Sequence, residues 1–552
     1  MKMVIAVARI CLIVAICLAA PMLAVLLGVG GTAACAEEVL FSTSFEYGDE
    51  AAFRAVQDGP IRIHATGTAS VTSKFARTGK QCLHLLGDEN NSITFVIPAE
   101  IQAVKGIQFH AERWTRRDPF SFLVEARQGG QWHEVSKIDR IVNVGARFLS
   151  HIQLAIPADE KVEAIRFSVT AAPQAGVLID DLSLLASPPQ RPSSIPSDVM
   201  PTEPLKLIDD QPLFVSGQND THTFRIPAIA TAVNGDLIAA CDARRKGSAD
   251  LIGQRTIDIV FRRSTDNGKT WSPVEVLDPY QDGGCSDPSL IVDETTGDVF
   301  CFYNYMVADR TSKEYRFVVQ KSSDNGVTWD APIDFTDQVA GPELKDAFKF
   351  ITSGRGIQTR TGLLVHNYVQ VGKSVTLFAS RDHGATWETI GDVSPGDESK
   401  VVELPDGTLM VNSRIGPGKR FVHRSSDGGQ TWDSVSDFNL PDPRCNACLI
   451  QYTAKRDGYA KDRLLFVNAA SNSARENLAV RISYDGGWTW SEGKVIDPGP
   501  SAYSEITVLA DGSFGVLYEP GYKEVRFVRF TLEELTDGED QLVKPYAAVG
   551  NN

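Results

Sequence analysis

An all-β chain in two parts is what this sequence predicts: a jelly-roll-like β-sandwich followed by a six-bladed β-propeller. Three observations carry that expectation. After residue 36, short apolar-polar alternations run for some distance with no helical period. A proline-dense stretch then interrupts the chain across 188–204. Beyond it, Ser-x-Asp-x-Gly-x-Thr-Trp recurs at Ser264–Trp271, Ser322–Trp329, Ser380–Trp387, Ser425–Trp432 and Ser483–Trp490, the starts separated by 58, 58, 45 and 58 residues.

The first 36 residues read as a signal peptide. Lys2 and Arg9 precede an apolar run from Ile10 to about Val29, and Ala34-Cys35-Ala36 before Glu37-Glu38 fits a signal-peptidase site. On that reading the mature chain begins near Glu37 and is exported: secreted, periplasmic or at the cell surface. Two alternatives stay open, because the run is long enough to persist as an anchor and Cys35 is placed for lipidation. A formal charge of −16 and a pI near 5.1 argue against nucleic acid and anionic membrane surfaces as partners. An N-terminal anchor is then the one expected route to a membrane. Cys11, Cys17 and Cys35 fall in the leader, leaving Cys82, Cys241, Cys285, Cys301, Cys445 and Cys448. Cys445-Asn-Ala-Cys448 has no second ligand pair at zinc spacing, which leaves a local disulfide or two buried thiols.

Residues 37–187 form the sandwich, with strands such as Ser92–Ile97, Phe120–Glu125 and Ile165–Val169. The run Gly176–Leu184 resembles the last strand of jelly-roll carbohydrate-binding modules, so a sugar ligand is one expectation for this part. Phe109, Trp114 and Trp132 are its candidate stacking residues, although single aromatics in a sandwich more often belong to the core. The prolines of 188–204 favour extended backbone and cannot sit in central strands, which places the boundary there. From 205 to 552 each repeat follows a strand, and a unit of about 45–60 residues with several strands suits one propeller blade. Five marked units and one unmarked make six. Within each repeat the aspartate accepts backbone N–H bonds of its own turn, the glycine supplies positive φ, and the tryptophan packs on the blade. Asp266, Asp324, Asp382, Asp427 and Asp485 are therefore structural.

Chemistry is sought outside the repeat. Arg225 lies in Phe224-Arg225-Ile226-Pro227, Arg414 in Val411-Asn412-Ser413-Arg414, and Arg475 in Ser473-Ala474-Arg475-Glu476. They belong to the first, fourth and fifth units. Blades converge on one axis, so residues this far apart meet there, and three permanent cations in an acidic protein suit a small carboxylate.

The Phe-Arg-Ile-Pro stretch, the five Ser-x-Asp-x-Gly-x-Thr-Trp repeats (Asp-boxes) and the three separated arginines together resemble the bacterial exo-α-sialidases that use a tyrosine nucleophile. The resemblance covers about residues 205–530. It implies Tyr503 as nucleophile, Glu398 (16 residues before Arg414) as its activating base, and Asp250 (25 past Arg225) as general acid/base. It further implies that Arg225, Arg244, Asp287, Arg414 and Arg475 bind the substrate and that Glu519 orients the arginines. Asp258 rivals Asp250, and Tyr518 rivals Tyr503. The residue types are coherent with this. Sialic acid carries a carboxylate on its anomeric carbon, which repels a carboxylate nucleophile but not a neutral phenol. That phenol has a free pKa near 10 and needs a base, with the arginines expected to lower it. The implied partners are sialylated glycoproteins, glycolipids and oligosaccharides, and no cofactor or metal is expected. Other expectations consistent with these residues are a trans-sialidase, an intramolecular trans-sialidase, or a sialoglycan-binding propeller without turnover.

Overall fold

The structure, a computed structural model, describes residues 38–543 without 47–61, 67–68, 87–90, 99, 102–103, 146–147, 149, 158–160, 190–191, 194–199, 278–282, 308–314, 345–346, 417 and 438. The signal-peptide stretch lies outside the described residues, as does part of the linker. The architecture is all-β.

Two sheets face each other in the first part. One runs Ser70–Thr72, Cys82–Leu86, Gly176–Leu185, Gly106–Arg113 and Ser150–Ala155, with Val39–Thr43 also on Gly176–Leu185; the other runs Arg62–Thr66, Asn91–Val96, Val162–Ala171, Phe120–Gln128 and Gln131–Lys137. Strict period-two burial, as in Asn91–Val96, puts alternate residues between the sheets. There Phe167 meets Phe109, Phe95 and Phe122 at ring separations of 4.9, 5.7 and 5.9 Å. Phe109 is thus core. Trp132 lies under the Arg166 guanidinium, and Trp114 stacks on His84.

Six blades follow. Blade one comprises Thr223–Thr231, Leu237–Arg244, Ile257–Ser264 and Glu275–Val276; blade two comprises Gly283–Val292, Val299–Val307, Arg316–Ser322 and Ile333–Asp334. Blade three is built on Leu364–Gln370, Ser374–Ser380 and Glu388–Val393, with Lys349–Ile351 and Ile357–Gln358 both on its first strand. Blade four is Ser399–Glu403, Leu409–Gly416, Lys419–Ser425 and Asp433–Asp437. Blades five and six share one strand, Lys494–Val508. Its first part pairs with Glu476–Ser483 of blade five, behind Arg463–Ala469 and Cys448–Thr453. Its second part opens blade six, pairing with Phe514–Pro520, which is followed by Glu524–Phe530. Asp209–Val215, from the start of the propeller segment, supplies that blade's outermost strand and closes the ring.

The five repeats are wedges between blades. In the first, Asp266 accepts from Ser264 Oγ at 2.8 Å, Thr270 N at 2.9 Å and Thr270 Oγ1 at 2.6 Å. The Thr270 hydroxyl and N–H hold that carboxyl down to about 2. Both Asn267 and Gly268 have positive φ. A Cβ on Gly268 would come within 2.5 Å of the Phe527 ring in blade six, and one on Gly384 within 2.4 Å of Phe300 in blade two. Glycine is required there by packing as well as by backbone.

Candidate functional site

Three antiparallel strand pairs deliver the site. Arg225 sits opposite Asp242 in blade one. Ser399 pairs with Ser413 in blade four, and Arg414 N donates to the Glu398 carbonyl at 2.9 Å, so a 16-residue spacing is a hairpin placing both side chains side by side. In blade six Tyr503 follows the point where the long shared strand changes blades, and its N–H donates to Glu519 at 3.3 Å.

The innermost strands of blades one and two carry the same distortion. Register shifts fall between Arg225 and Ala228 and between Ser286 and Ser289, with Ile226 and Asp287 at φ of 62° and 63°, each followed by proline. A left-handed β-branched residue such as Ile226 is a costly conformation, of the sort retained at functional sites.

Glu519 is fully buried and satisfied by four donors. It takes Arg225 Nε and Nη2 at 3.2 and 3.0 Å, Ile226 N at 2.6 Å and Tyr503 N. Arg244 is buried on Asp242 at 3.1 Å, donates to the Ser248 carbonyl at 2.7 Å, and reaches Asp250 at 2.7 Å. Arg225 lies 3.9 Å from the same Asp250, whose side chain is 71% exposed. Asp242 also takes Ser286 Oγ at 2.7 Å and Asp287 N at 2.9 Å, while Asn304 donates to Asp287 at 3.2 Å. Burial, then the charges of Asp242 and Glu398, push the Asp287 carboxyl well above its ordinary value.

Tyr503 is the point of convergence. Arg414 ion-pairs with Glu398 and donates to the Tyr503 hydroxyl at 3.1 Å, so one guanidinium bridges the carboxylate and the phenol. The guanidinium carbons of Arg225 and Arg475 lie 5.3 and 5.5 Å from the ring centroid. Ile226, Cys445 and Ala502 form the apolar surroundings of the ring. The expected lowering of the phenol pKa is not what this state has. Burial and then the Glu398 charge push it well up, with Arg414 opposing, so the hydroxyl keeps its proton at rest.

The nine expected site residues thus form one connected constellation. The two rivals are engaged elsewhere: Asp258 with Arg245 at 2.7 Å, and the Tyr518 hydroxyl with Asp497 at 3.0 Å. Cys445 and Cys448 are both buried free thiols. Among the described residues no cluster of three or more His, Cys, Asp or Glu is arranged to hold a metal. Sequence reasoning missed Gln254, which is buried and ties the Asp250 loop by donating to the carbonyls of Gly247 at 3.0 Å and Ala249 at 2.6 Å. It also missed Asn304, which joins Asp287 to the Ile351 backbone. A glutamine four residues past an acid in a Gly-containing loop was the only signal for the first, and nothing local marked the second.

A family described as BNR repeat-like domain matches residues 235–516. A sialidase of Micromonospora viridifaciens is 36% identical over 377 residues, covering 63% of this chain and 57% of the relative. A sialidase of Bacteroides fragilis is 30% identical over 352 residues, covering 58% of this chain and 64% of the relative. The alignments therefore span less than two thirds of either relative. In structure the chain is similar to a Hadza microbial sialidase (TM-score 0.56, 23% identity, 82% of this chain and 98% of that one). It is similar also to a leech intramolecular trans-sialidase (TM-score 0.52, 16% identity, 91% and 100%). At those identities the structural likeness speaks for the fold. With its repeats, its six blades and the match over 235–516, the chain belongs to the BNR repeat-like domain family, among relatives that are bacterial sialidases.

Proposed function

We propose that the protein is an exo-α-sialidase, hydrolysing terminal α-linked sialic acids from glycoproteins, glycolipids and oligosaccharides with retention of configuration, and that it acts outside the cytoplasm. The observation that carries the reading is the gathering of Arg225, Arg414 and Arg475 around one tyrosine whose hydroxyl accepts from Arg414, itself ion-paired with Glu398. Three guanidinium groups suit a substrate carboxylate, and a neutral phenol beside them meets an anomeric carbon bearing that carboxylate without like-charge repulsion.

In the proposed sequence Glu398 takes the Tyr503 proton as the phenolic oxygen bonds to the anomeric carbon, and Asp250 protonates the departing glycosidic oxygen. Asp250 then removes a proton from water, which displaces Tyr503 as Glu398 returns the proton to the phenolic oxygen. Asp250 is exposed to water, and Arg244 at 2.7 Å fixes where its carboxylate stands. Two inversions at one carbon leave the configuration unchanged.

Tyr503→Phe should lower kcat on a fluorogenic sialoside by about a thousandfold or more, as removal of a nucleophile does elsewhere. Turnover within a few-fold of wild type sinks the assignment. Proton NMR of the first-formed product reads retention directly. It also separates free sialic acid from a new glycoside or a 2,7-anhydro sugar.

A further inference from the structure

Three of the four site arginines already have carboxylate partners. Arg225 is paired with Glu519, Arg414 with Glu398, and Arg244 with Asp242 and Asp250. Arg475 differs: among the described residues its hydrogen bonds go to the Tyr522 hydroxyl and the Arg444 carbonyl, each at 3.3 Å. An arginine so held is the one with most charge left for an incoming anion. It is also the one with most rotamer freedom to lose on binding it.

Tyr522 touches both ends of the clamp. Its hydroxyl accepts from Arg475, and its ring centroid lies 4.7 Å from the guanidinium carbon of Arg225. It stands at the tip of the hairpin joining Phe514–Pro520 to Glu524–Phe530 and is 41% exposed, so it lies at the rim of the site. Gly521 and Tyr522 are both left-handed, at φ of 58° and 61°. Gly521 N donates to the Pro500 carbonyl at 2.9 Å, which ties the tip to the strand that carries Tyr503. The backbone thus fixes the ring in place, and the ring has only two torsions of its own.

We propose that Tyr522 is a positioning residue of the carboxylate site, a tie between Arg225 and Arg475 that holds the Arg475 fork ready for the substrate carboxylate. The inference rests on the sialidase reading. A bond from a preorganised donor lost at this point weakens anion binding without removing any group that takes part in bond breaking.

The test is a double-mutant cycle with 2-deoxy-2,3-didehydro-N-acetylneuraminic acid as probe, its Kd measured by calorimetry or ligand-observed NMR. Tyr522→Phe keeps the ring and removes the hydroxyl, and should raise Kd by about three- to tenfold in the otherwise wild-type enzyme. In an Arg475→Ala background the same change should leave Kd unaltered, because the group through which Tyr522 acts is gone. KM should rise with Kd while kcat stays within about twofold, the signature of lost uniform binding. Equal effects in the two backgrounds, or none in either, overturn the proposal. Tyr522→Leu, which loses the ring as well, should weaken binding further, and melting temperatures show that each variant is folded. Folded wild-type protein that neither binds the probe nor cleaves a sialoside overturns the sialidase reading itself, a result distinct from a flat cycle.

Discussion

At the scale of single residues the site is a set of charges balanced by burial. Burial and the Glu398 charge keep the Tyr503 phenol protonated in the resting state, so on the proposed mechanism its activation belongs to the reaction. Asp250 is expected to matter in proportion to leaving-group basicity. Asp250→Asn should lose about 10²–10⁴ in kcat/KM on sialyllactose, yet far less on a 4-nitrophenyl sialoside, whose phenolate departs unaided. Equal losses on both would remove Asp250 from the acid role. Asp287 gives a pH signature. Its carboxyl, buried and beside Asp242 and Glu398, is raised well above the ordinary 3.8. Between those two values the folded protein holds a proton that the unfolded chain has released, so this group's contribution to stability falls as pH rises. Asparagine does not titrate. The melting temperature of Asp287→Asn minus that of wild type should therefore grow from pH 5 to pH 8, and a flat difference contradicts the assignment.

At the scale of elements, the Asp-box turns and the inner-strand bulges divide the labour. Asp485 accepts from Ser483 Oγ, Trp488 N, Thr489 N and Thr489 Oγ1 at 2.7–3.0 Å. Asp485→Ala strands those donors at a cost of about 1–3 kcal/mol. It should lower the melting temperature by a few degrees with kcat unchanged, and a lost kcat at full stability would contradict a structural role. The boxes were legible because their bonds run within eight consecutive residues. The bulges at Ile226 and Asp287 were not legible: a left-handed isoleucine is imposed by neighbouring blades and by Glu519, which takes the Ile226 N–H from 293 residues away.

At the scale of the whole molecule, closure decides stability. Asp209–Val215 completes blade six against Glu524–Phe530, with Leu213 and Phe214 buried and Asp209 on Arg529 at 3.2 Å. Val495 bonds the backbone of Glu203 and Leu205 at 2.7 Å in each direction. A chain beginning at Met200 should fold as a soluble propeller. One beginning at Ser216 leaves an open edge strand beside an uncovered core and should aggregate. Soluble yield and a cooperative melt distinguish the two, and a stable product from the shorter chain would contradict the closure.

What the sequence determined by itself follows from local physics: the alternation of the sandwich strands, the five box turns, and the count of blades. Residue chemistry marked Arg225, Arg414 and Arg475 as candidates, and the resemblance to the exo-α-sialidases added Glu398 and Tyr503. Only the tertiary structure decided who meets whom. Glu519 serves Arg225 and the Tyr503 backbone, Arg414 bridges Glu398 and the phenol, and Tyr522 spans two arginines. The reason is that these partners are brought together by the closing of the ring. Across that ring, burial fixes both the direction in which each charge points and the protonation state it keeps.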